Sequence, residues 1–378
     1  MKIYILLLLV ACASVWLFTP MIRRAAVRMG AVGQVRKRDV HKVPTARMGG
    51  VGMLLGFFVA MIFASRTDFL SSLFRDSRQP YAIMAGAAAI CLLGVCDDIW
   101  DLDWMLKLSG QLLISVYVSL NGIQVVSLPF GSLIGASAGI SMTVVSVLMV
   151  ISINAVNFVD GLDGLASGIV AIGGIAFGTY SYMTSRTSPS YASVTTLIDV
   201  VLVGLCIGFL FHNWNPARLF MGDSGSMLLG YLITCASIIM TGHIDPNTVH
   251  ASLFLPVFMP VLLPVLVLFL PFLDMIMAIV RRLAKGQSPM HPDRMHLHHR
   301  MLRIGHSVPG AVLILWGWAA LISFGSVMTL FFKFRYVAAA VAVLAALLSF
   351  LTLHPYIVKK KEIRQNQLTE SSLENGFE

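Results

Sequence analysis

The sequence predicts an all-α polytopic membrane protein of about eleven transmembrane helices. Its N-terminus is expected outside, its C-terminus in the cytoplasm, and its active site on the cytoplasmic face. Three observations lead there. Hydrophobic residues make up 57% of the 378 and charged residues only 12%, roughly half the charged share of a soluble domain. Apolar runs near twenty residues recur along the chain and mean hydropathy is +0.82, so lipid rather than water is the medium for most of it. A soluble core does not account for this, because a chain of this size would still need a polar surface. Lastly, Lys and Arg divide unequally between the segments joining the runs, which orients the whole.

In chain order, spans are expected near residues 3–20, 49–65, 81–97, 105–121, 139–156, 165–184, 196–211, 226–241, 251–279, 308–332 and 335–354. The first contains "LVAC", which resembles a lipoprotein cleavage box. Its only early cation is Lys2, however, and Arg23 and Arg24 follow the run, so it reads as a span rather than a signal peptide. The ninth carries Pro256, Pro260, Pro264 and Pro271 and should be kinked and tilted. An odd number of spans puts the termini on opposite sides. One side then holds 20 of the 27 Lys and Arg residues; the other holds Lys2, Arg66, Arg75, Arg78, Arg186, Lys333 and Arg335. The richer side is cytoplasmic.

The segment "SLNGIQVVSLPFGSLIGASAG" between the fourth and fifth spans reads as a small β-hairpin. Residues 1–358 form one transmembrane catalytic domain, and 359–378 a polar tail expected to be disordered, with its lysines near anionic headgroups. Cys12, Cys91, Cys96, Cys206 and Cys235 lie in apolar runs without a CxxC, as packed small hydrophobes rather than a disulfide or metal framework. No internal repeat supports an inverted-repeat transporter.

All the polar clusters fall on the expected cytoplasmic side. In "GVCDDIWDLD", Asp97, Asp98 and Asp101 share one side of a helix end. Carboxylates this close repel unless a cation or donor compensates, which suits magnesium or a proton-bearing nucleophile; the alternative is a solvated helix terminus. In "NAVNFVDGLDGLASG", Asn154 and Asn157 lie one turn apart, ahead of Asp160 and Asp163. Gly161 and Gly164 interrupt the helix and expose backbone amides. That combination suits the phosphates of a nucleotide, although a capped turn would use the same residues.

"FMGDSGS" sets Asp223 between Gly222 and Gly225, either to hold a hard cation or to cap the helix that follows. Phe220 offers an aromatic face for a base. In "HPDRMHLHHR", His291, His296, His298 and His299 accompany Arg294 and Arg300. No cysteine or second histidine cluster completes a zinc site, so anionic phosphate fits this loop better. The basic segment "RKRDVHKVPTARMGG" contributes Lys42 and Arg47 beside Thr45, residues that would also serve to orient the helices. Asp199 and Asp274 sit within apolar runs, near enough to span ends to snorkel.

Taken in order, these stretches resemble the polyprenyl-phosphate N-acetylhexosamine-1-phosphate transferases. The likeness runs from about residue 38 to 303 and is carried by "DDIWD", "NAVNFVDGLDGLASG", "FMGDSGS" and "PDRMHLHHRML". The branch most similar starts bacterial O-antigen, teichoic-acid or related envelope polymers. "HLHH" preceded by "PDR" favours a simpler sugar nucleotide; the alternative is a related transferase using another UDP-sugar, such as the UDP-MurNAc-pentapeptide of a sister branch. Ala46 stands where the family often has a second proline.

The resemblance implies transfer of GlcNAc-1-phosphate from UDP-GlcNAc to a polyprenyl phosphate, undecaprenyl or decaprenyl, with release of UMP. It implies magnesium, replaceable by manganese, with Asp223 as direct ligand and Asp98 supporting the metal or substrate. Asp97 would deprotonate or orient the acceptor phosphate, and His298 would join Asp97 and Asp98 as catalytic. Asn157, Asp160, Gly161, Leu162 and Asp163 would surround the uridine diphosphate, with Asn213 and Phe220 near the uracil and Lys42 near a phosphate. Arg294, His296, His298 and His299 would close over the sugar and diphosphate. A homodimer in the bacterial plasma membrane is also implied, surrounded by membrane lipids and without nucleic acid.

Two other readings compete. An intramembrane prenyltransferase also uses DDxxD with magnesium, but would want a second motif of that kind. A transporter would favour carboxylates at span centres, whereas those here gather at one face.

Overall fold

The computed structural model describes residues 1–32, 45–125, 127–128, 134–135, 137–186, 193–241, 265–287 and 296–374. Among these described residues, nine helices are long and apolar enough to cross a membrane, as expected of a polytopic membrane protein. These are α1 (Lys2–Arg28), α2 (Gly49–Arg66), α4 (Gln79–Trp100), α6 (Ala138–Val159), α7 (Leu165–Ser185), α8 (Val194–Asn213), α9 (Gly222–Thr241), α12 (Val308–Met328) and α13 (Phe334–Glu374). The fourth expected span corresponds to the shorter apolar helix α5 (Trp104–Leu120). The ninth lies partly outside the described residues; its later half is α10 (Phe269–Ala284). There are also two short helices, α3 (Asp68–Asp76) and α11 (Leu297–Ile304), and residues 265–267 are helical just ahead of α10.

The expected hairpin is present as β1 (Ser127–Leu128) and β2 (Ile134–Gly135), an antiparallel pair. Helix α13 runs beyond its apolar part to Glu374, so the backbone is helical where the composition of residues 359–378 led us to expect disorder. Lys, Glu, Gln and Leu dominate that continuation, and their straight side chains lose little freedom in a helix.

Helix α9 forms the centre. Its spanning part is 94% buried within the protein, against 6% for that of α13. Around α9 stand α2, α4, α6 and α8, while α1 packs on α8 and α2, α7 on α8, and α12 on α7. In lipid no hydrophobic effect drives helices together, so close backbone approach must supply the attraction. Gly94 of α4 does this, facing the backbone of Asp223 and Ser224 so tightly that any Cβ would overlap it. Further along the same interface the buried Tyr231 hydroxyl donates to the Ile83 carbonyl at 3.1 Å, satisfying a polar group that lipid could not.

A second, smaller apolar cluster gathers Val159, Leu162, Leu165, Ile169, Leu270 and Met301 against α12. It ties the end of α6, the start of α7, and α10 and α11 into one region. Neither intramembrane carboxylate snorkels as expected: Asp199 is 0% and Asp274 1% exposed. Asp199 packs against Gly178 of α7 with no hydrogen-bond partner among the described residues. Asp274 turns inward because the protein offers it partners there, as described below.

The charge asymmetry makes orientation testable with single cysteines in a background cleared of native ones. Both Arg300 and Lys333 are exposed. We expect an impermeant maleimide added to intact cells to label Lys333→Cys and spare Arg300→Cys; the reverse pattern would invert the topology.

Candidate active site

The last turn of α4 carries Asp97 and Asp98, and Asp101 closes the helix in the left-handed region at φ 51°. Helix α9 starts beside it at Gly222, whose φ of +70° only glycine adopts cheaply. Asp98 accepts the first amides of α9: Asp223 N–H donates to Oδ1 at 2.9 Å and Ser224 N–H to Oδ2 at 3.2 Å. A carboxylate is well placed there, because the first turn of a helix presents unpaired N–H groups and a partial positive charge.

Asp97 accepts from Leu102 N–H at 3.1 Å and from the Lys107 ammonium at 2.8 Å. The same ammonium pairs with Asp223, so Lys107 on α5 lies between the two carboxylates. Opposite, Asn157 of α6 donates to Ser226 Oγ at 2.9 Å, and Asn154 donates to Gln111 Oε1 at 2.7 Å. Four helices therefore deliver Asp97, Asp98, Lys107, Asn157 and Asp223 to one place.

The loop after α6 adds a fourth acidic group. Burial pushes the Asp160 carboxyl up to about 8, and the nearby Asp223 and Asp98 reinforce the shift against Arg47. Without an added cation Asp160 thus keeps its proton at neutral pH. The other residues of this loop shape it. Asp163 accepts from Asn215 Nδ2 at 2.8 Å and from Ala217 N–H at 3.0 Å. Both ends of the Asn213 amide are engaged as well: Gly164 N–H donates to it at 2.9 Å, and it donates to the Leu219 carbonyl at 3.0 Å.

Asn213 therefore binds the loop of residues 160–164 to that of residues 213–219 through both of its amide groups, whereas the resemblance placed it near a uracil. Leu162 is buried in the smaller apolar cluster. Phe220 joins the preceding segment by its backbone, donating to the Ala46 carbonyl at 2.9 Å and accepting from Gly49 N–H at 3.0 Å.

The histidines form a separate group. His296 and His298 are parallel, with an interplanar angle of 2° and centroids 5.7 Å apart; Phe158 stacks on His296 at 5.7 Å, and His299 tilts against His298 at 4.3 Å. The His298 ring occupies the space a side chain at Gly161 would need, which brings the histidine group against the Asp160 loop. Burial, with His299 second, holds the His298 imidazole far below its ordinary value, at about 3. His298 is neutral at physiological pH, so any phosphate contact it makes is by N–H donation rather than charge. Lys42, His291 and Arg294 lie outside the described residues.

Two participants escaped the sequence reading. Lys107 counted only as one cation among 27, yet it is a lone charge in an apolar helix, four residues after the helix cap Asp103. That isolation was the available signal. Asp274 was visible, but its partner His296 is 22 residues away and the link follows from the fold.

Fold and site together define a membrane-embedded protein with an acidic, lysine-bridged centre at the ends of its spans. Residues 81–241 match the family described as glycosyl transferase family 4. The chain is 38% identical over 345 residues to the decaprenyl-phosphate N-acetylglucosaminephosphotransferase of Mycobacterium tuberculosis H37Rv, covering 88% of this chain and 83% of that protein. It is 38% identical over 363 residues to the protein of the same name from Mycolicibacterium smegmatis, covering 92% and 87%. A Bacillus subtilis relative, "Probable undecaprenyl-phosphate N-acetylglucosaminyl 1-phosphate transferase", is 31% identical over 311 residues, covering 82% and 80%. The chain belongs to glycosyl transferase family 4.

Removing the Lys107 ammonium would leave Asp97 and Asp223 facing one another uncompensated, which costs several kcal/mol in a fully buried pair and less at this partly open site. We expect Lys107→Met to lower turnover at least tenfold, with Lys107→Arg retaining more because it keeps the charge. Initial rates alongside thermal melting check this, and unimpaired turnover in the Met variant would remove Lys107 from the machinery.

Proposed function

We propose that the protein transfers GlcNAc-1-phosphate from UDP-GlcNAc to a polyprenyl phosphate in the bacterial plasma membrane, starting a cell-envelope polysaccharide. An acceptor phosphate oxygen bonds to the sugar-linked phosphorus of UDP-GlcNAc. The bond from that phosphorus to the bridging oxygen breaks, and UMP leaves with the electron pair. The observation that carries this reading is the Asp97–Lys107–Asp223 bridge, held beside Asp98 where α4 and α9 meet. Its support comes from relatives named for this transfer with either a decaprenyl or an undecaprenyl carrier. A site at span ends lets a cytosolic nucleotide meet a lipid confined to the bilayer plane.

Reaction between two anions gains most from positioning and charge neutralisation. In this reading Lys107 neutralises phosphate charge, and Asp97 orients the acceptor phosphate. Asp98 has both oxygens on α9 amides and acts by fixing Asp223, a different use from the metal support the resemblance implied. The Asp160 loop and Asn157 surround the diphosphate, while His298 and His299 donate hydrogen bonds over the sugar phosphate.

The donor set also bears on magnesium. No three His, Cys, Asp or Glu side chains among the described residues form a ready metal site. Magnesium, however, commonly takes one or two carboxylates and completes its shell with water and substrate phosphates. Asp223, which already pairs with one cation in Lys107, fits that pattern as the single direct carboxylate ligand, with manganese as a substitute. Bound there, the metal would offset the charge of the diphosphate.

Purified protein given UDP-GlcNAc and polyprenyl phosphate should release UMP in step with lipid-linked GlcNAc. Release from another UDP-sugar in preference would change the substrate, and no release from any would end the proposal. Initial rates against magnesium concentration separate the two carboxylates. Asp223→Asn should weaken apparent metal affinity as well as turnover, whereas Asp97→Asn should depress turnover and leave nucleotide binding and metal requirement largely unchanged. A shifted metal dependence confined to the Asp97 variant would exchange the roles.

A further inference from the structure

Helix α10 buries two charged residues on one face. Asp274, Ala278 and Arg282 follow one another at four-residue intervals and are all buried, at 1%, 0% and 4% exposure. Arg282 lies over the Phe158 ring of α6, 5.6 Å from its centroid. Asp274 uses both oxygens on the histidine loop: Oδ2 meets His296 Nδ1 at 2.9 Å, and Oδ1 accepts from Leu297 N–H at 2.8 Å. Leu297 is the first residue of α11, so the carboxylate caps that helix from another part of the chain.

A buried carboxylate is costly unless it is paired, and Asp274 is paired. The pairing determines the chemistry of His296. A carboxylate oxygen accepts, so Nδ1 must carry the proton it donates, and Nε2 becomes the nitrogen available to a ligand. It also sets position, because His296 lies parallel to His298, whose ring in turn fills the space at Gly161. From Asp274 outward the contacts run through His296 and His298 to the loop bearing Asp160.

We propose that Asp274 is a positioning residue for the transfer. It fixes the tautomer of His296 and caps α11, and so holds the histidine loop over the Asp160 loop in the geometry that receives the nucleotide sugar. This rests on the function proposed above. A substitution of Asp274 that keeps the cap on α11 therefore acts through His296 alone and has little further effect once that imidazole is gone.

The test is a double-substitution cycle with Asp274→Asn and His296→Ala, read as kcat/KM for UDP-GlcNAc at saturating polyprenyl phosphate. Asparagine keeps the shape and can still accept from Leu297 N–H, but its amide NH2 turned toward Nδ1 forces that nitrogen to accept. A charge-assisted contact of this kind is worth on the order of tenfold to a hundredfold, and Asp274→Asn alone should lower kcat/KM by that much. In the His296→Ala background it should add less than about threefold. Equal losses in both backgrounds, or no loss in either, would overturn the proposal.

Nitrogen-15 spectra of histidine-labelled protein give a readout independent of activity and of simple destabilisation. The signal absent from His296→Ala should report an Nδ1–H tautomer in the native protein and an Nε2–H tautomer in Asp274→Asn. An unchanged tautomer would also overturn the assignment. If native protein transferred nothing from UDP-GlcNAc, the function would fall while the spectra still judged the Asp274–His296 link.

Discussion

The contact between the Asp98 carboxylate and the first amides of α9 joins the two needs of this protein, to pack in lipid and to hold charge. On the packing side it fixes the end of α4 against the most buried helix of the bundle, where Gly94 lets the two backbones touch. On the charge side it sets Asp223, whose own amide is one of the two donors, at a defined distance from Asp97. Lys107 can bridge those two carboxylates only because both helix ends are held in register. The acidic centre depends on helix packing, and the packing is in turn closed by an acidic residue.

Polar groups that span a membrane must be satisfied within the protein, and the loops of the site obey the same rule. Asp163 and Asn213 direct their hydrogen bonds to neighbouring loop backbone and amide groups. The segment through Ala46 and Gly49 pairs with Phe220 much as short strands would. These bonds make the site a rigid floor, with residues 160–164, 213–220 and 45–50 tied to one another around the end of α9. Within that floor the Asp160 carboxyl is raised by burial and by its acidic neighbours Asp223 and Asp98.

Much of this was legible in the sequence because membrane spans are written in hydropathy, which needs no tertiary information. Among the described residues, nine helices long and apolar enough to span appear where apolar runs stand, and the short hairpin lies in the segment where one was expected. The acidic motifs were legible for a related reason: Asp97, Asp98 and Asp223 are costly near lipid, so their presence in apolar surroundings is a signal in itself. Partnerships were not legible. That Asp98 would serve the amides of α9, 125 residues away, depends on which helices pack together, as does the Lys107 bridge between Asp97 and Asp223. Motif likeness grouped Asn213 with the nucleotide, while its two amide contacts to backbone emerge only from the folded loops.

Asp199 and Asp274 illustrate why position in a span does not decide the fate of a carboxylate. By sequence both sit in apolar runs close to an end, within a side chain's reach of water, yet both are buried. The difference between them lies in what the neighbouring elements offer. Beside Asp199 stands Gly178, with no donor to it among the described residues, whereas Asp274 meets an imidazole and the open amide end of α11 together. Two donors converging on one carboxylate resemble what α9 and its amides provide for Asp98. In both cases an aspartate on one helix captures the start of another helix, and in both the captured helix carries groups of the site: Asp223 on α9, His298 and His299 on α11. The fold thus uses one device twice, once to position its acidic half and once to position its imidazole half.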